Sequence, residues 1–371
     1  MRFIKRTMII TATIIVILAI GIYIFTRQAV FGKEPSGARL ERIMKSPNYK
    51  DGAFQNLTPT VVTREGASYI KLLIDGLNKP DAVVPDISIP SVKTDLKNLS
   101  SEKPVIVWFG HSSYLIKSKG FNILVDPVFS GTASPVSFFG NSFKGTDVYH
   151  AEDMPEIDML ILTHDHYDHL DYKTLLALRP KIKRIYAALG VGSHLEYWGF
   201  APDKIVELDW WENNRVSDNI EITATPARHF SGRSFTRYKT LWASFVLKIN
   251  NYNIFIGGDS GYEQHFKLIG NKFGPFDIAM LEAGQYGADW PFIHMLPEQT
   301  VDAAKDLGAK VLFPVHWTKF ALASHDWNEP ANRVKKNAAE KNQRLTTPMI
   351  GETIVIDSIY PDKNWWIPAN P

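Results

Sequence analysis

THDHYDHLD, residues 163–171, places three imidazoles and three carboxylates within nine residues. The run directly follows the apolar segment 157–162, which is typical of a buried strand. Side chains in the loop beyond such a strand lie at the sheet edge where layered α/β folds collect their ligands. Neutral imidazole and carboxylate bind borderline divalent cations such as zinc. The run therefore predicts half of a two-metal hydrolase site.

Within this run, the residues divide between two cations. His164 and His166 stand two positions apart and can point at one ion. Asp168 and His169 follow at once and can reach a second ion about 3.5 to 4 Å away. A purely structural role for the cluster is the alternative. Crowding so many titratable groups destabilises a fold unless a cation compensates them, which favours the metal site.

The composition of the whole chain narrows the function further. The chain has 371 residues, 45% of them hydrophobic and 12% aromatic, which is enough to bury a large core in one domain or in two closely packed halves. The net charge is only +2 and gives no indication of a nucleic-acid surface, so no nucleic-acid partner is expected. The absence of cysteine excludes disulfides, thiolate ligands and a cysteine nucleophile.

The N-terminal segment 7–26 contains no charged residue. About 20 apolar residues span a hydrocarbon layer of roughly 30 Å as a helix. A cleaved signal peptide and a buried core helix are the alternatives, but no small-residue cleavage signature follows the run. Arg2, Lys5 and Arg6 precede it, which favours a cytoplasmic amino terminus. We predict a single-pass transmembrane anchor over residues 1–27 and an extracytoplasmic catalytic domain.

The rest of the chain divides into an extension and a catalytic domain. Residues 28–95 are polar with scattered proline and glycine, and we predict a linker and N-terminal extension with one short helix. The hydrolase domain is predicted over residues 96–371, with a strand hairpin followed by strand and helix patterns that alternate twice. The last core strand is expected at residues 310–315. This order predicts an α/β protein with two β-rich layers and helices outside, an αββα sandwich.

Three distant residues qualify as further ligands because each follows a predicted strand. His229 follows the strand that ends near residue 225, Asp259 follows a strand and two glycines, and His316 follows segment 310–315. Each alone is typical of an ordinary hydrogen-bonded group, but their joint placement favours ligands. We predict two ligand sets with a bridging carboxylate: His164, His166 and His229 for the first ion, Asp168, His169 and His316 for the second, and Asp259 between them.

Several blocks of the sequence resemble the metallo-β-lactamase superfamily. The histidine run marks the superfamily, and other blocks are similar to its N-acyl-phosphatidylethanolamine-hydrolysing phospholipase D family. Those blocks are WFGHSS (108–113), DPVF (126–129), ASP (133–135), ELDWWE (207–212), GDSGY (258–262), FGPFD (273–277) and VHWTKFAL (315–322). The resemblance covers roughly residues 50 to 355. It implies a sandwich of metallo-β-lactamase type, two zinc ions and cleavage of a phosphodiester at a membrane surface.

The resemblance also implies a substrate and a mechanism. The substrate would be a membrane phospholipid like N-acyl-phosphatidylethanolamine, and the products an N-acylethanolamine and phosphatidic acid. Two divalent cations lower the pKa of a shared water from about 16 toward neutrality, so hydroxide is the expected nucleophile. Asp168 and Asp259 are expected to hold it, with Asp259 handling its proton. His294 matches a family histidine and is expected to bind or protonate phosphate oxygens.

Substrate contacts and several alternatives remain open at this point. Trp290, Phe292 and His294 are candidate substrate-binding residues, as is His111, for which a supporting or structural hydrogen bond is an equal alternative. The runner-up function is a lactone or carboxyl-ester hydrolase of the sugar-lactonase branch, and a non-catalytic metal-binding scaffold is the third. Iron and manganese accept the same ligands as zinc. The family includes dimeric members, so a homodimer is also compatible with the sequence.

Overall fold

The computed structural model describes residues 2–68, 74–76, 78–100 and 102–367. Residues 69–73 and 77 of the predicted extension lie outside the described residues, as do residues 1, 101 and 368–371. The described α-helices are α1 (Arg2–Thr26), α2 (Gly37–Met44), α3 (Tyr172–Leu178), α4 (Gly192–Tyr197), α5 (His265–Phe273), α6 (Pro297–Asp306) and α7 (Glu329–Glu340). The described strands are β1 (Tyr49–Lys50), β2 (Ala53–Phe54), β3 (Val105–Trp108), β4 (Tyr114–Ser118), β5 (Phe121–Val125), β6 (Met159–Leu162), β7 (Ile185–Ala188), β8 (Ile205–Leu208), β9 (Asn213–Ser217), β10 (Ile220–Thr225), β11 (Ser244–Ile249), β12 (Tyr252–Ile256), β13 (Ile278–Glu282), β14 (Leu312–Val315) and β15 (Thr353–Val355).

Two mixed sheets organise these strands. The first has the order β15-β3-β4-β5-β6-β7-β8, antiparallel from β15 to β5 and parallel from β5 to β8. The second has the order β14-β13-β12-β11-β10-β9, parallel from β14 to β12 and antiparallel from β12 to β9. Parallel neighbours end at the same edge of a sheet, so the loops that follow β6, β12 and β14 can meet there.

Alternate residues of the second sheet face two different cores. Ile254 and Ile256 of β12 belong to the large core that also holds the first sheet, whereas Phe255 between them belongs to a smaller core. The smaller core is completed by helix residues, among them Ile269 of α5 and Val301 of α6. This is the period of two that a strand imposes on its side chains. The sheets therefore pack face to face with helices outside, which confirms the predicted αββα sandwich.

Three elements of the catalytic domain depart from the sequence analysis, and in the extension the hairpin of β1 and β2 was not expected either. Segment 310–315 does not hold the last core strand, because β15 follows it and pairs with β3, with Ile354 opposite Ile106. Strand β9 was not expected, since its residues alternate between exposed and half-buried and carry no apolar pattern. Helix α7 was also missed, although Val334 and Ala338 lie on one buried face of it.

The N-terminal part combines an isolated helix with a docked extension. The segment Phe3–Thr26 of α1 is 24 residues long and contains an 18-residue window with a mean hydropathy of 2.7 and no buried residue. The predicted short helix of the extension is α2, and its Arg39 forms ion pairs with Glu196 at 2.6 Å and Glu207 at 2.7 Å. The domain boundaries at residues 27 and 95 stay predictions, but this part of the extension packs on the catalytic domain.

Candidate metal centre

Loop 163–171 begins where β6 ends and is fastened to the end of β5. Asp126, directly after β5, accepts hydrogen bonds from the backbone N–H of Thr163 at 2.9 Å and from its hydroxyl at 2.6 Å. The same carboxylate lies 2.8 Å from Nδ1 of His169. A ring that donates from Nδ1 keeps its Nε2 lone pair free for a ligand. Asp126 therefore both anchors the loop and orients His169.

Three histidines form the first group. Nδ1 of His166 lies 3.0 Å from Nε2 of His164 and 3.2 Å from Nε2 of His229. The other nitrogen of His164 is engaged by the hydroxyl of Thr163 at 3.0 Å. Nδ1 of His229 donates to the carbonyl of Ile293 at 2.8 Å. Three ring nitrogens therefore converge on one point, as the sequence analysis predicted for the first ion.

The second group combines Asp168, His169 and His316. Oδ2 of Asp168 lies 3.6 Å from Nε2 of His169. The turn between β3 and β4 supports this group, because Nε2 of His111 lies 2.8 Å from Oδ2 of Asp168. The Ser112 hydroxyl lies 3.0 Å from Nδ1 of His316. The ligand atoms of His111, Asp168, His169 and His316 all lie within 4.8 Å of one another.

Asp259 lies between the two groups. Its Oδ1 is 3.1 Å from Nε2 of His169 and 3.1 Å from Nδ1 of His316. Its Oδ2 is 3.8 Å from Nε2 of His164 and 3.8 Å from Nε2 of His229. One carboxylate thus faces both groups, which is the position expected of a bridging ligand.

Two glycines allow Asp259 to take this position. A Cβ on Gly257 would lie 2.6 Å from the carbonyl oxygen of Met280. A Cβ on Gly258 would lie 2.9 Å from Cβ of Thr163, and Gly258 also has a φ of +60°. Neither position has space for a side chain, and the backbone at Gly258 lies in the left-handed region that favours glycine. The chain after β12 can therefore approach loop 163–171 closely.

The donor atoms fit divalent cations. Nε2 of His169 and Oδ1 of Asp259 are buried and make no hydrogen bond. Burial lowers the pKa of His164 and of His229 well below the usual value, so both rings are neutral and carry free lone pairs. Lone pairs that converge within 3.0 and 3.2 Å of a third ring nitrogen suit a shared cation. These residues are what a two-ion centre requires.

The carboxylates of the centre differ in their electrostatics. Burial opposes charge on Asp168, but the neighbouring His169 and the hydrogen bond from His111 hold the pKa of this carboxyl well below its usual range. Burial raises the pKa of Asp259 to about 6. The carboxylate of Asp168 therefore keeps its negative charge, whereas the negative charge of Asp259 depends on a positively charged neighbour.

Sequence comparison assigns the chain to a family. Residues 121–317, more than half of the chain, match the beta-lactamase superfamily domain. This chain belongs to the metallo-β-lactamase superfamily. An uncharacterised protein of Mycobacterium tuberculosis is 37% identical over 327 residues, which is 87% of this chain and 88% of the relative. N-acyl-phosphatidylethanolamine-hydrolyzing phospholipase D 1 of Caenorhabditis elegans is 30% identical over 272 residues, 69% of this chain and 76% of the relative.

Solved structures share the metallo-β-lactamase fold at lower identity. Igni18, a metallo hydrolase from Ignicoccus hospitalis, gives a TM-score of 0.53 at 20% identity and covers 68% of this chain and 97% of its own. CmlA, a diiron β-hydroxylase from Streptomyces venezuelae, gives 0.52 at 19% identity and covers 69% of this chain and 55% of its own. These likenesses show the fold alone. The superfamily and the named homologues make this chain a metal-dependent hydrolase.

Sequence reasoning missed Glu282, which pairs with His294. Oε2 of Glu282 lies 2.6 Å from Nδ1 of His294, and its Oε1 accepts from the backbone N–H of Met295 at 2.8 Å. Burial raises the pKa of Glu282 well above its usual value. Glu282 is the last residue of β13, as Asp126 directly follows β5. An acidic residue at the end of a predicted buried strand is the signal that identifies both.

A cleft of about 290 Å³ opens onto the candidate metal centre. Five of the seven candidate ligands and two predicted substrate contacts border it, namely His166, Asp168, His229, Asp259, His316, Trp290 and His294. Phe292 does not border it, because its ring lies 4.7 Å from the guanidinium of Arg228 and is 40% exposed on the outer surface. His111 is fully buried behind Asp168 and so supports that carboxylate rather than meeting a substrate.

The N-terminal extension also reaches the centre. Oδ1 of Asn56 accepts from the backbone N–H of His229 at 3.1 Å, and Nδ2 of Asn56 donates to the His229 carbonyl at 2.8 Å. The indole N–H of Trp242 donates to the same Oδ1 at 3.0 Å. One residue of the extension thus forms hydrogen bonds with both the backbone N–H and the backbone carbonyl of a candidate ligand.

Four further histidines lie outside the candidate ligand groups: His150, His194, His265 and His325.

Proposed function

We propose that this protein is a membrane-anchored, zinc-dependent phosphodiesterase of phospholipase D type. Its substrate would be a lipid like N-acyl-phosphatidylethanolamine, and its products an N-acylethanolamine and phosphatidic acid. The convergence of imidazole and carboxylate ligands beside an apolar cavity carries this proposal. A relative whose name states this activity is 30% identical over 69% of this chain, which supports the choice of substrate.

Zinc is the proposed metal. The residues that would hold two ions are His164, His166 and His229 for one, Asp168, His169 and His316 for the other, and Asp259 for both. Two such ions act as Lewis acids and supply hydroxide at neutral pH when bound. Iron and manganese accept the same ligands, so metal analysis belongs to any test of this assignment.

Asp259 and His294 are proposed to handle protons and substrate oxygens. The carboxylate of Asp259 faces both ligand groups, so it lies where the attacking oxygen is expected and can accept its proton. His294 borders the cleft, and Glu282 holds its Nδ1 at 2.6 Å. That bond leaves Nε2 to bind or protonate a phosphate oxygen. Asp168, held charged by His111, orients the nucleophile from the other side.

An apolar cavity beside the cleft suits an acyl chain. It measures about 580 Å³ and shares Trp290 and His294 with the cleft. Tyr286, Pro291 and Leu296 also line it. A charged reaction centre next to an apolar wall fits an amphiphile whose phosphate reacts while its chain is buried.

Helix α1 is proposed to anchor the catalytic domain in a bilayer. The 24-residue length of Phe3–Thr26 and the mean hydropathy of 2.7 in its 18-residue window are those of a spanning helix. Tethering raises the effective concentration of the enzyme near a bilayer lipid. Lys5 and Arg6 precede the apolar core, which favours an extracytoplasmic catalytic domain. A signal sequence shows the same pattern, and sequencing the amino terminus of the mature protein separates the two.

Lipid product analysis tests the reaction. The zinc-loaded full chain is incubated with N-acyl-phosphatidylethanolamine and, separately, with an acyl lactone, and the products are identified by mass spectrometry. We expect the wild type to produce N-acylethanolamine and phosphatidic acid. In His166→Ala the amounts of both should fall at least about 100-fold while the fold is retained, because mutating even a residue that is hydrogen-bonded to a metal ligand lowers metal affinity or activity about 10 to 100-fold. His150→Ala, an exposed histidine, is the matched control.

Two outcomes would reject the proposal. Turnover of the lactone without turnover of the phospholipid would favour the sugar-lactonase type of reaction. Failure of the metal-loaded chain to hydrolyse either substrate, or a generic phosphodiester such as bis(p-nitrophenyl) phosphate, would favour a metal-binding scaffold.

A further inference from the structure

A third cavity lies where α1 meets the catalytic domain. It measures about 690 Å³, and its walls are the last turn of α1, the segment 31–36 and the loop 232–240. Asp165 borders this cavity, whereas the next residue along the chain, the candidate metal ligand His166, borders the reaction cleft. Loop 163–171 therefore contributes to two separate openings, and we call the second one the junction cavity.

Cationic side chains dominate the walls of the junction cavity. The cationic wall residues are Arg27, Lys33, Arg233 and Lys239, and the acidic wall residues are Glu34 and Asp165. The carboxylate of Asp165 is satisfied inside the protein, because it accepts from the backbone N–H of Gly232 at 2.7 Å and from the hydroxyl of Thr240 at 2.8 Å. The guanidinium of Arg27 lies over the ring of Tyr23 at 5.0 Å. Within the described part of the chain, the Lys33 ammonium forms no ion pair, so the cavity offers unneutralised positive charge.

The junction cavity lies at the level of lipid headgroups if α1 spans a bilayer. This step rests on the anchor in the proposed function. Tyr23 and Thr26 of the last turn of α1 line the cavity, and the chain packs against the catalytic domain directly after them, where the indole of Trp198 donates to the carbonyl of Ala29 at 2.7 Å. Phe235, on loop 232–240, is 83% exposed, as an aromatic residue at a membrane interface is. Basic groups next to a spanning helix attract anionic lipids.

We propose that the junction cavity binds the phosphate headgroup of an anionic phospholipid from the surrounding leaflet, such as phosphatidylglycerol. Arg27 and Lys33 would pair with the phosphate. This lipid is a ligand that holds the domain in place and is separate from the substrate in the reaction cleft. Arg233 connects the two openings, because it donates to the carbonyl of Val30 at 2.8 Å and to that of Asp165 at 2.7 Å. A bound lipid would therefore hold loop 163–171 at a constant height above the bilayer.

Native mass spectrometry of the full chain in detergent tests the site. Phosphatidylglycerol and phosphatidylcholine are titrated in parallel into the wild type and into the double variant Arg27→Gln/Lys33→Gln. We expect one retained phosphatidylglycerol per chain and retention at least about tenfold weaker in the double variant, since each cation near the surface contributes several-fold. Lys119→Gln, in the exposed turn between β4 and β5, removes a charge elsewhere and is expected to behave as the wild type.

Three results would overturn the inference. These are equal retention of the two lipids, equal retention of phosphatidylglycerol by the wild type and the double variant, and displacement of the lipid by millimolar inorganic phosphate, which would indicate a site for a soluble anion. Arg27 and Lys33 are exposed, so the thermal midpoint of the double variant is expected to equal that of the wild type.

Hydrolysis of N-acyl-phosphatidylethanolamine in the same detergent samples separates this inference from the proposed function. Neither Arg27 nor Lys33 borders the reaction cleft, so the double variant is expected to keep its activity in micelles. Hydrolysis by all variants without selective lipid retention would reject the junction site alone. Selective retention without hydrolysis by any variant would reject the proposed reaction and leave the lipid site standing.

Discussion

Oε2 of Glu282 lies 2.6 Å from Nδ1 of His294, at the border of the reaction cleft. Glu282 is fully buried at the end of β13, so its position is determined by the sheet rather than by a loop. The pair presents the outer nitrogen of His294 in one orientation. Glu282 is thus a positioning residue that orients His294, and its carboxylate also lies within 4.8 Å of the ligand atoms of Asp259 and His316.

The substitution Glu282→Gln is expected to lower kcat about 10 to 100-fold, because the ring of His294 loses the carboxyl group that holds its Nδ1. Metal content should not change, since Glu282 is not one of the seven proposed ligands, although its carboxylate lies within 4.8 Å of the ligand atoms of Asp259 and His316. His294→Gln is expected to cause a similar loss, and the double variant no further loss, as residues that act as a unit are not additive. Steady-state kinetics and metal analysis of all three variants check this. Fully additive losses would contradict the pairing.

The carboxylate of Asp126 orients His169, so Asp126→Asn is expected to weaken binding of one zinc ion about 10 to 100-fold. Binding of the other ion should be weakened less, because Asp126 reaches its ligands only through Thr163, whose hydroxyl lies 3.0 Å from Nδ1 of His164. Titration against a competing chelator measures both affinities. Asp203→Asn, an exposed carboxylate, is the control, and equal affinities in the two variants would show that Asp126 has no such role.

Much of the centre can be predicted from the sequence because its ligands follow a local rule. Loop 163–171, His229, Asp259 and His316 each come after an apolar segment, and the structure brings all of them to one edge of the two sheets. Asp126 and Glu282 obey the same rule. They were missed because a two-ion ligand set is already complete without them.

Other features depend on contacts between distant segments and are not visible in local patterns. Strand β15 has only three residues and is a strand because β3 lies beside it. The hydrogen bonds between the side chain of Asn56 and the backbone of His229 join residues 173 positions apart. Phe292 lies against Arg228, with its ring 4.7 Å from the guanidinium, and not at the cleft. None of these contacts leaves a periodic signal in the sequence, so tertiary packing determines them.

Arg233 is predicted to stabilise the connection between the extension and loop 163–171. It is buried and donates to the carbonyls of Val30, Asp165 and Leu170. Arg233→Met leaves these carbonyls without a donor and is expected to lower the free energy of unfolding by about 3 kcal/mol. Urea unfolding of the full chain in detergent measures this. Arg237→Met, an exposed neighbour, should cost less than about 0.5 kcal/mol, and an equal cost for both would contradict the role of Arg233.

His265 makes the stability depend on pH. Burial lowers the pKa of His265 to about 3, against about 6.5 in an unfolded chain. Below pH 6.5 the unfolded state takes up a proton that the folded state does not, so stability falls as the pH falls toward 3. Between pH 7 and pH 5 the wild type is expected to lose about 2 kcal/mol more than His265→Gln. Urea unfolding at both pH values checks this, and parallel losses would show that His265 does not contribute.

The central claim is that distant segments of this chain hold two divalent cations around one carboxylate. Crystals of the zinc-loaded full chain, measured on both sides of the zinc absorption edge, test it most directly. We predict two anomalous peaks about 3.5 to 4 Å apart, one beside His164 and the other beside His316, with Asp259 between them. A map without peaks at these residues, or with a single peak that Asp259 does not touch, would contradict the account.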